Sequence, residues 1–152
     1  MSTQTQPPRI MPPHYFLAAI CLVTLSHALL PLTVVLPVVR WTGLLLIVPG
    51  VLLAVLGANL FRDAGTSIVP LTRSSTLVTT GVFRLSRNPM YLGMLLTGTG
   101  LLCALPSLPG LGVLVTFFLV LRQQFVLREE RLLAATFGPA YADYQASVRR
   151  WL

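Results

Sequence analysis

The chain has 152 residues, of which 55% are hydrophobic and only 10% are charged, and its mean hydropathy is +0.79. Soluble domains contain roughly 25% charged residues, so this composition excludes an ordinary water-soluble globule and indicates one membrane-embedded domain. All 11 basic residues are arginines against 4 acids, which gives a formal net charge of +7. Uncharged runs divide the arginines among loops, so we expect anionic lipid headgroups as their partners and no nucleic acid.

The N-terminal half contains two uncharged runs that predict membrane spans. Residues 1–13 are polar and rich in proline, and we expect them to be disordered. Residues 15–39 then form a run long enough to cross a hydrocarbon core of about 30 Å, and too long for the apolar core of a signal peptide. The second run, residues 41–61, contains Pro49-Gly50, an interruption that membrane helices tolerate.

The third uncharged run predicts a helical hairpin. Residues 88–121 form 34 positions without a charge, which is too long for one span. The segment 106–110, Pro-Ser-Leu-Pro-Gly, lies in its middle and predicts a turn. We therefore expect one arm over 89–105 and a second over 110–127, with Arg122 snorkelling at the end of the second. The predicted fold is an all-α polytopic membrane protein with about four transmembrane helices, forming a single domain over residues 14–152.

The arginines predict the orientation of these four spans. If both termini are cytoplasmic, ten of the eleven arginines lie inside and only Arg40 lies outside. Such a bias agrees with the positive-inside rule and requires an even number of crossings. A cytoplasmic loop over 62–88 and a tail over 128–152 remain. A connection as long as this loop is usually functional or disordered.

The tail carries a helical stripe of large apolar residues. Successive members are spaced 4, 4, 3, 4 and 3, and they are Leu133, Phe137, Tyr141, Tyr144, Val148 and Trp151. This spacing predicts a helix, bent at Gly138-Pro139. An aromatic stripe beside a membrane is typical of an interfacial helix that rests on headgroups.

The predicted spans contain few side chains that could take part in a reaction. They hold no acid or arginine in mid-membrane, which argues against a proton-coupled transporter. Cys21 and Cys103 lie in apolar runs, without the spacing of a disulfide framework or a metal site. His27 is expected to be a hydrogen-bonded interior residue. Any reaction should therefore take place at the cytoplasmic interface.

The first polar cluster lies at the start of the third span. As a structural element, Asn88 is a favoured N-cap, Pro89 suits the first helical position and Tyr91 suits the aromatic belt. As a functional element, the free N–H groups of this helix start, with Arg84 and Arg87 beside them, would receive an anionic group. Both interpretations stay open from the residues alone.

The second polar cluster is the acidic pair Glu129-Glu130, just past the fourth span. Neither glutamate has an arginine three or four positions away, which is where helical ion pairs form. A solvated pair needs no further explanation. Alternatively, one carboxylate turns into a cavity, where it would complement a cationic ligand or accept a hydrogen bond from a ribose.

Several motifs in a fixed order carry a resemblance. They are Ala64-Gly-Thr66, Leu77-Val-Thr-Thr-Gly-Val-Phe-Arg-Leu-Ser-Arg-Asn-Pro-Met-Tyr-Leu-Gly93, Glu129-Glu130-Arg131, and Phe137-Gly-x-x-Tyr141-x-x-Tyr144-x-x-x-Val148-x-Arg150-Trp151. Over roughly residues 41–152 the chain resembles the isoprenylcysteine carboxyl methyltransferase family in its short prokaryotic form. The phospholipid N-methyltransferases belong to the same broader group.

The resemblance implies an S-adenosylmethionine-dependent integral methyltransferase of a prokaryotic cytoplasmic membrane. Carried over residue by residue, the cofactor-binding positions are Arg87, Asn88, Tyr91, Leu92, Gly93, Glu129, Glu130 and Arg150. The family motif usually has histidine where this chain has Asn88, so a histidine base at that position is excluded. No other general base is evident.

The methyl acceptor stays open at this point. The resemblance favours carboxyl O-methylation of a lipophilic or small acceptor, which would enter from the bilayer. A phospholipid amine or a small thiol is the alternative within the enzyme class. A non-catalytic small membrane protein, such as an assembly factor or a transporter, is the alternative of another class. Neither the acceptor nor the oligomeric state follows from the sequence.

Overall fold

The computed structural model describes residues 10–32, 36–72 and 74–152, and over these ranges the protein is built from helices without strands. The elements are α1 (Pro12–Leu29), α2 (Pro37–Asp63), a 3₁₀ helix (Gly81–Arg84), α3 (Pro89–Ala104), α4 (Leu108–Val120), a π-helical turn (Leu121–Val126), α5 (Leu127–Phe137) and α6 (Pro139–Ser147). The all-α class is thereby confirmed.

Four apolar helices correspond to the four predicted spans. Helix α1, helix α2 and the continuous stretch Leu108–Phe137 are each long and apolar enough to cross a membrane. Helix α3, with 16 residues, is a shorter apolar helix. The predicted orientation, with both termini cytoplasmic, remains a prediction, and Arg9 and Arg73, which contribute to it, lie outside the described residues.

The N-terminal boundaries differ from those that the sequence predicts. Residues 1–9 lie outside the described ranges, but Pro12 and Pro13 already form the first turn of α1, where proline fits well. The first span ends at Leu29, and Arg40 belongs to α2, which starts at Pro37. The prediction of one span over 15–39 is therefore wrong, because it relied on missing charge and ignored the prolines that end and begin helices. Helix α2 continues through Pro49 without a break.

Helices α2 and α3 pack with their backbones in close approach. A Cβ atom added at Gly43 would lie 2.5 Å from the carbonyl oxygen of Gly100. One added at Gly93 would collide with the carbonyl oxygen of Gly50. Small residues at such crossings let membrane helices pack tightly. This tight pair fixes the position of the α3 start, where the first polar cluster lies.

The predicted hairpin between α3 and α4 is present and is attached to α1. Ser107 caps α4 by accepting a hydrogen bond from the Gly110 N–H at 3.2 Å. The hydroxyls of Ser107 and Ser26 lie 2.7 Å apart, and Nδ1 of His27 lies 3.0 Å from the Pro106 carbonyl oxygen. His27 is thus the hydrogen-bonded residue that the sequence predicts.

The tail is helical as its spacing predicts, and it folds back on the protein. Gly138, with φ of +52°, separates α5 from α6. Tyr141 is 1% exposed and Tyr144 is 8% exposed, because both pack in a cluster around Phe83 of the 3₁₀ helix. At these two positions the stripe therefore contacts protein, where the sequence alone suggests headgroups. The 3₁₀ helix and the end of α2 supply the apolar surface that covers it.

Candidate functional site

The two polar clusters meet at one cavity of about 60 Å³. It lies where the start of α3, the start of α5 and helix α6 come together, beside the loop segment 74–78. Its lining residues are Phe61, Ser74, Thr76, Leu77, Val78, Phe83, Arg87, Asn88, Pro89, Met90, Tyr91, Glu129, Glu130, Leu133, Tyr141 and Tyr144.

Glu130 is the centre of an ion-pair network at this cavity. Nε and Nη2 of Arg150 donate to its two carboxylate oxygens at 2.9 and 2.7 Å, and Nη2 of Arg87 lies 3.4 Å from Oε1. Two parallel charge-assisted bonds of this kind are strong and fix geometry. The hydrogen bond to Glu130 is the main reason why the pKa of Arg150 is raised. Glu130 is buried, so its charge is neutralised within the protein.

Main-chain oxygens of the tail are held against the start of α3. The Ser86 hydroxyl and the Asn88 side-chain amide both donate to the carbonyl oxygen of Arg150 at 3.1 Å. The backbone N–H of Arg87 donates to the carbonyl oxygen of Arg149 at 3.0 Å. This attachment places the Arg150 side chain against Glu130.

Asn88 occupies the N-cap position of α3, but its side chain makes no capping bond. The expectation that it caps the helix is therefore wrong. Its amide is engaged with the Arg150 carbonyl oxygen instead, and its own N–H donates to the Ser86 hydroxyl at 3.1 Å. The Asn88 side chain thus bonds to the tail, 62 positions further along the chain, and not to the start of its own helix.

Arg87 presents unsatisfied donors at the cavity. Its Nε and Nη1 atoms are buried and meet no hydrogen-bond partner of good geometry among the described residues, while its Nη2 faces Glu130. The guanidinium also lies near the Tyr141 phenol, where it offsets part of the rise in the pKa of that phenol. A buried donor without a partner costs free energy, and such groups in native proteins call for an explanation. An anionic group bound in the cavity would satisfy both atoms.

Glu129 has surroundings unlike those of its neighbour. Its Oε1 accepts a hydrogen bond from the Tyr91 hydroxyl at 2.7 Å. Among the residues that the structure describes, no arginine or histidine nitrogen lies within 4.0 Å of it. Adjacent positions on a helix point in different directions, so Glu130 meets the arginines while Glu129 faces the open cavity.

Two buried tyrosines close the side of the cavity formed by α6. The Tyr144 hydroxyl donates to the Phe83 carbonyl oxygen at 2.7 Å. Burial raises the pKa of Tyr144 to about 12, and burial followed by the charge of Glu130 raises the pKa of Tyr141. Both phenols therefore stay protonated at neutral pH.

The structure brings together most of the residues that the sequence predicts for the site. Five of them line the cavity, namely Arg87, Asn88, Tyr91, Glu129 and Glu130. Arg150 reaches it through its pair with Glu130. Leu92 is buried but does not line the cavity, and Gly93 faces α2. Their predicted part in cofactor binding stays a prediction, since one turn of a helix does not turn every residue toward the same cavity.

Sequence reasoning missed several residues that build the cavity. Ser86 is fully buried and joins the tail to α3, but a serine between two arginines gives no signal of that role. Phe61 lines the cavity although it is distant from both clusters in sequence, and the segment 76–78 lines it without carrying a charge. The aromatic spacing of the tail was the one available signal for Tyr141 and Tyr144.

One family model and one curated protein match this chain. A model of the phospholipid methyltransferase family matches residues 38–140. A stretch of 46 residues is 48% identical to an uncharacterized protein of Haemophilus influenzae, and the match covers 30% of this chain and 71% of that protein. No solved structure matches the chain.

Proposed function

Because this chain belongs to the phospholipid methyltransferase family, we propose that it transfers a methyl group from S-adenosylmethionine to an amine carried by a membrane lipid. The observation that supports the proposal is the pairing, in one cavity, of Arg87 donors that no described residue satisfies with Glu129, which no arginine among the described residues neutralises. The first fits an anionic group of the methyl donor, and the second fits a cationic acceptor.

The residues of the cavity fit the methyl donor. S-adenosylmethionine carries a carboxylate, an ammonium, a ribose and a sulfonium, and it supplies an activated methyl group. Nε and Nη1 of Arg87 would hold the carboxylate through charge-assisted hydrogen bonds. Asn88, Tyr91 and the two glutamates would complete the walls, as the resemblance also implies. Arg150 would act indirectly, by holding Glu130 in place.

The carboxyl group of Glu129 favours an amine over a carboxylate as the acceptor when it is ionised. A carboxylate acceptor beside it would be repelled, whereas a lipid ammonium would be attracted. A neutral thiol would not be attracted by the charge of this carboxylate, which could serve it only as a proton acceptor. Positioning the amine nitrogen in line with the methyl carbon and sulfur would supply much of the acceleration. The proposed acceptor is therefore an aminophospholipid.

Carboxyl O-methylation is the second candidate, and one observation favours it. The free donors of Arg87 could hold an acceptor carboxylate as readily as that of the methyl donor. Such an acceptor is already ionised, so it would need no base. The two candidates differ in the product, a methylated amine in one case and a methyl ester in the other.

Binding of S-adenosylhomocysteine to detergent-purified protein tests the cofactor half of the proposal. We expect saturable calorimetric binding to the wild type. Arg87→Lys keeps the charge but loses the fork of donors, so binding should weaken by about tenfold or more. The matched control is Arg84→Lys, an exposed arginine of the 3₁₀ helix, which should stay within about twofold. A folded wild type that binds nothing at millimolar ligand would favour the non-catalytic alternative.

Labelling identifies the acceptor. Protein in vesicles of phosphatidylcholine with phosphatidylethanolamine is incubated with methyl-labelled S-adenosylmethionine, and the lipids are separated. Label in a base-stable N-methylated lipid supports the proposal. Label only in base-labile esters, when total cell membranes replace the vesicles, supports the carboxylate candidate instead.

A further inference from the structure

Two arginines approach one carboxylate at the site cavity. Glu130 has two oxygens, and Arg150 donates to both of them, from Nε at 2.9 Å and from Nη2 at 2.7 Å. Arg87 approaches the same carboxylate with Nη2 alone, at 3.4 Å from Oε1. This contact is longer than a charge-assisted hydrogen bond, which typically measures about 2.7–2.9 Å. Arg150 therefore holds the position on Glu130 that the fork of Arg87 would otherwise occupy.

The main chain of the C-terminal tail explains why Arg150 holds this position. The carbonyl oxygen of Arg150 accepts hydrogen bonds from the Ser86 hydroxyl and the Asn88 amide, both at 3.1 Å. The next residue, Trp151, packs on Phe118 of α4 with 5.6 Å between the ring centroids. An arginine whose main chain is already fixed loses less conformational entropy when its side chain binds a carboxylate.

Arg87 lies deeper in the protein, and its donors are not used in the same way. Its side chain is 11% exposed, against 34% for the side chain of Arg150. The buried Nε and Nη1 atoms of Arg87 meet no hydrogen-bond partner of good geometry among the described residues, and the Tyr141 phenol lies near the same guanidinium. The two arginines and Glu130 together carry one surplus positive charge. Where water is excluded, such a charge attracts an anion strongly.

We propose that Arg150 is a positioning residue for Arg87. By occupying both oxygens of Glu130, Arg150 stops the Arg87 fork from closing on that carboxylate, and it leaves Nε and Nη1 to receive the carboxylate of the methyl donor. The inference rests on the proposed function, in which Arg87 binds that carboxylate, and it gives the tail a part in recognising the amino-acid end of the donor. Ser86 is a second positioning residue, because its buried hydroxyl fixes the main chain of Arg150.

A purely structural ion pair would respond differently to the loss of Arg150. Without Arg150, both oxygens of Glu130 become free, and a bidentate pair with Arg87 is the strongest arrangement left. Arg87 would then satisfy its donors within the protein and would gain less from a ligand anion. Removing the carboxylate of Glu130 as well takes away this internal partner, so Arg87 should again receive the ligand anion. The second change should therefore reverse the effect of the first on binding.

Two probes separate the anion contact from the rest of the cavity. One is S-adenosylhomocysteine, and the other is its decarboxylated form, which keeps the nucleoside, the sulfur and the ammonium but lacks the carboxylate. The ratio of their calorimetric dissociation constants, measured on detergent-purified protein, is the carboxylate preference. We expect the wild type to prefer the first probe by about tenfold or more, which corresponds to one charge-assisted hydrogen bond.

The variants should change this preference in a defined order. Arg150→Gln should bind the first probe about tenfold more weakly, while its affinity for the decarboxylated probe stays within about threefold of the wild type. Arg150→Gln/Glu130→Gln should recover the preference to within about threefold of the wild type, because the two positions are coupled. Ser86→Ala keeps every charge but loosens the tail, so its preference should fall by about threefold. The matched control, Arg149→Gln, removes an exposed arginine next to Arg150 and should keep the wild-type preference.

The results separate this inference from the proposed function. A wild type that binds neither probe contradicts the proposed function. A wild type that binds both probes equally contradicts the Arg87 contact with the donor carboxylate, and the inference fails with it. The inference alone is overturned if Arg150→Gln keeps the preference, if it loses both probes equally, or if the double variant does not recover. Should either Arg150 variant fail to fold, as judged by circular dichroism, an unchanged preference in Ser86→Ala overturns the inference.

Discussion

Between α2 and α3 the backbones touch through Gly43, Gly50, Gly93 and Gly100, whereas the residues just before α3 are joined to α5 and the C-terminal tail by charged side chains and main-chain oxygens. The first region tolerates no added atom, because steric fit holds it. The second depends on a closed set of partners, because a buried charge without its partner is costly. A single change should therefore affect the two regions through different mechanisms.

The largest effect is expected from the charged region. Glu130→Gln leaves Arg87 and Arg150 without their carboxylate, which should lower the free energy of unfolding by about 3 kcal/mol. Detergent unfolding, followed by helical circular dichroism, measures this change. Asp143→Asn removes the same charge at an exposed position and should change stability by less than about 0.5 kcal/mol. Equal effects in the two variants would contradict the network.

The apolar region should respond to added volume. Gly93→Ala places a methyl group against the Gly50 carbonyl oxygen, and overpacking of this kind costs about 1–3 kcal/mol. Gly112→Ala, on α4, meets nothing within 4 Å and should gain up to about 1 kcal/mol from helix propensity. Thermal unfolding in detergent compares the two variants. A stabilised Gly93→Ala would show that α2 and α3 are not in close approach.

A third prediction concerns the pH dependence of folding stability, which depends on Tyr144. The Tyr144 pKa of about 12 lies above the value of about 10 in an unfolded chain. The folded state thus holds this proton more tightly, so its contribution is complete below pH 10 and is lost as the pH rises from about 10 to 12. Tyr144→Phe should lose about 1 kcal/mol at neutral pH and show a shallower decline above pH 10. Equilibrium unfolding across pH 8 to 12 measures both, and a decline as steep as that of the wild type would contradict the assignment to Tyr144.

The smallest effect is expected at the hairpin. Ser107→Ala removes the α4 cap and the contact with Ser26, at a cost of about 1 kcal/mol. Thr116→Ala removes a hydroxyl that bonds only its own helix, at an exposed site, and should be close to neutral. The difference between the melting temperatures of the two variants measures the contribution of the Ser107 cap to stability. Binding of S-adenosylhomocysteine should not change in either variant, because the hairpin is remote from the site cavity.

The sequence predicted local features better than distant ones. Pro106 and Gly110 favour a turn at their own positions in the chain, so the hairpin was predictable. The partners of Glu130 lie 20 and 43 positions away in the sequence. The rule for ion pairs three or four positions apart on one helix therefore cannot predict them. The same limit hid the role of Ser86 and the direction of the Asn88 side chain. The end of the first helix was missed because uncharged residues continue past Leu29 into the next helix.

The π-helical turn at Leu121–Val126 sets the angular phase between the membrane part of its helix and the acidic pair. Such a turn accommodates one residue more than an α-helix would, and each residue rotates a helix by about 100°. Removing one residue here would leave both halves helical but would turn Glu129 and Glu130 away from the cavity. The register of this one turn therefore decides which way the acids face, and a single-residue deletion would separate membrane insertion from activity more cleanly than any substitution.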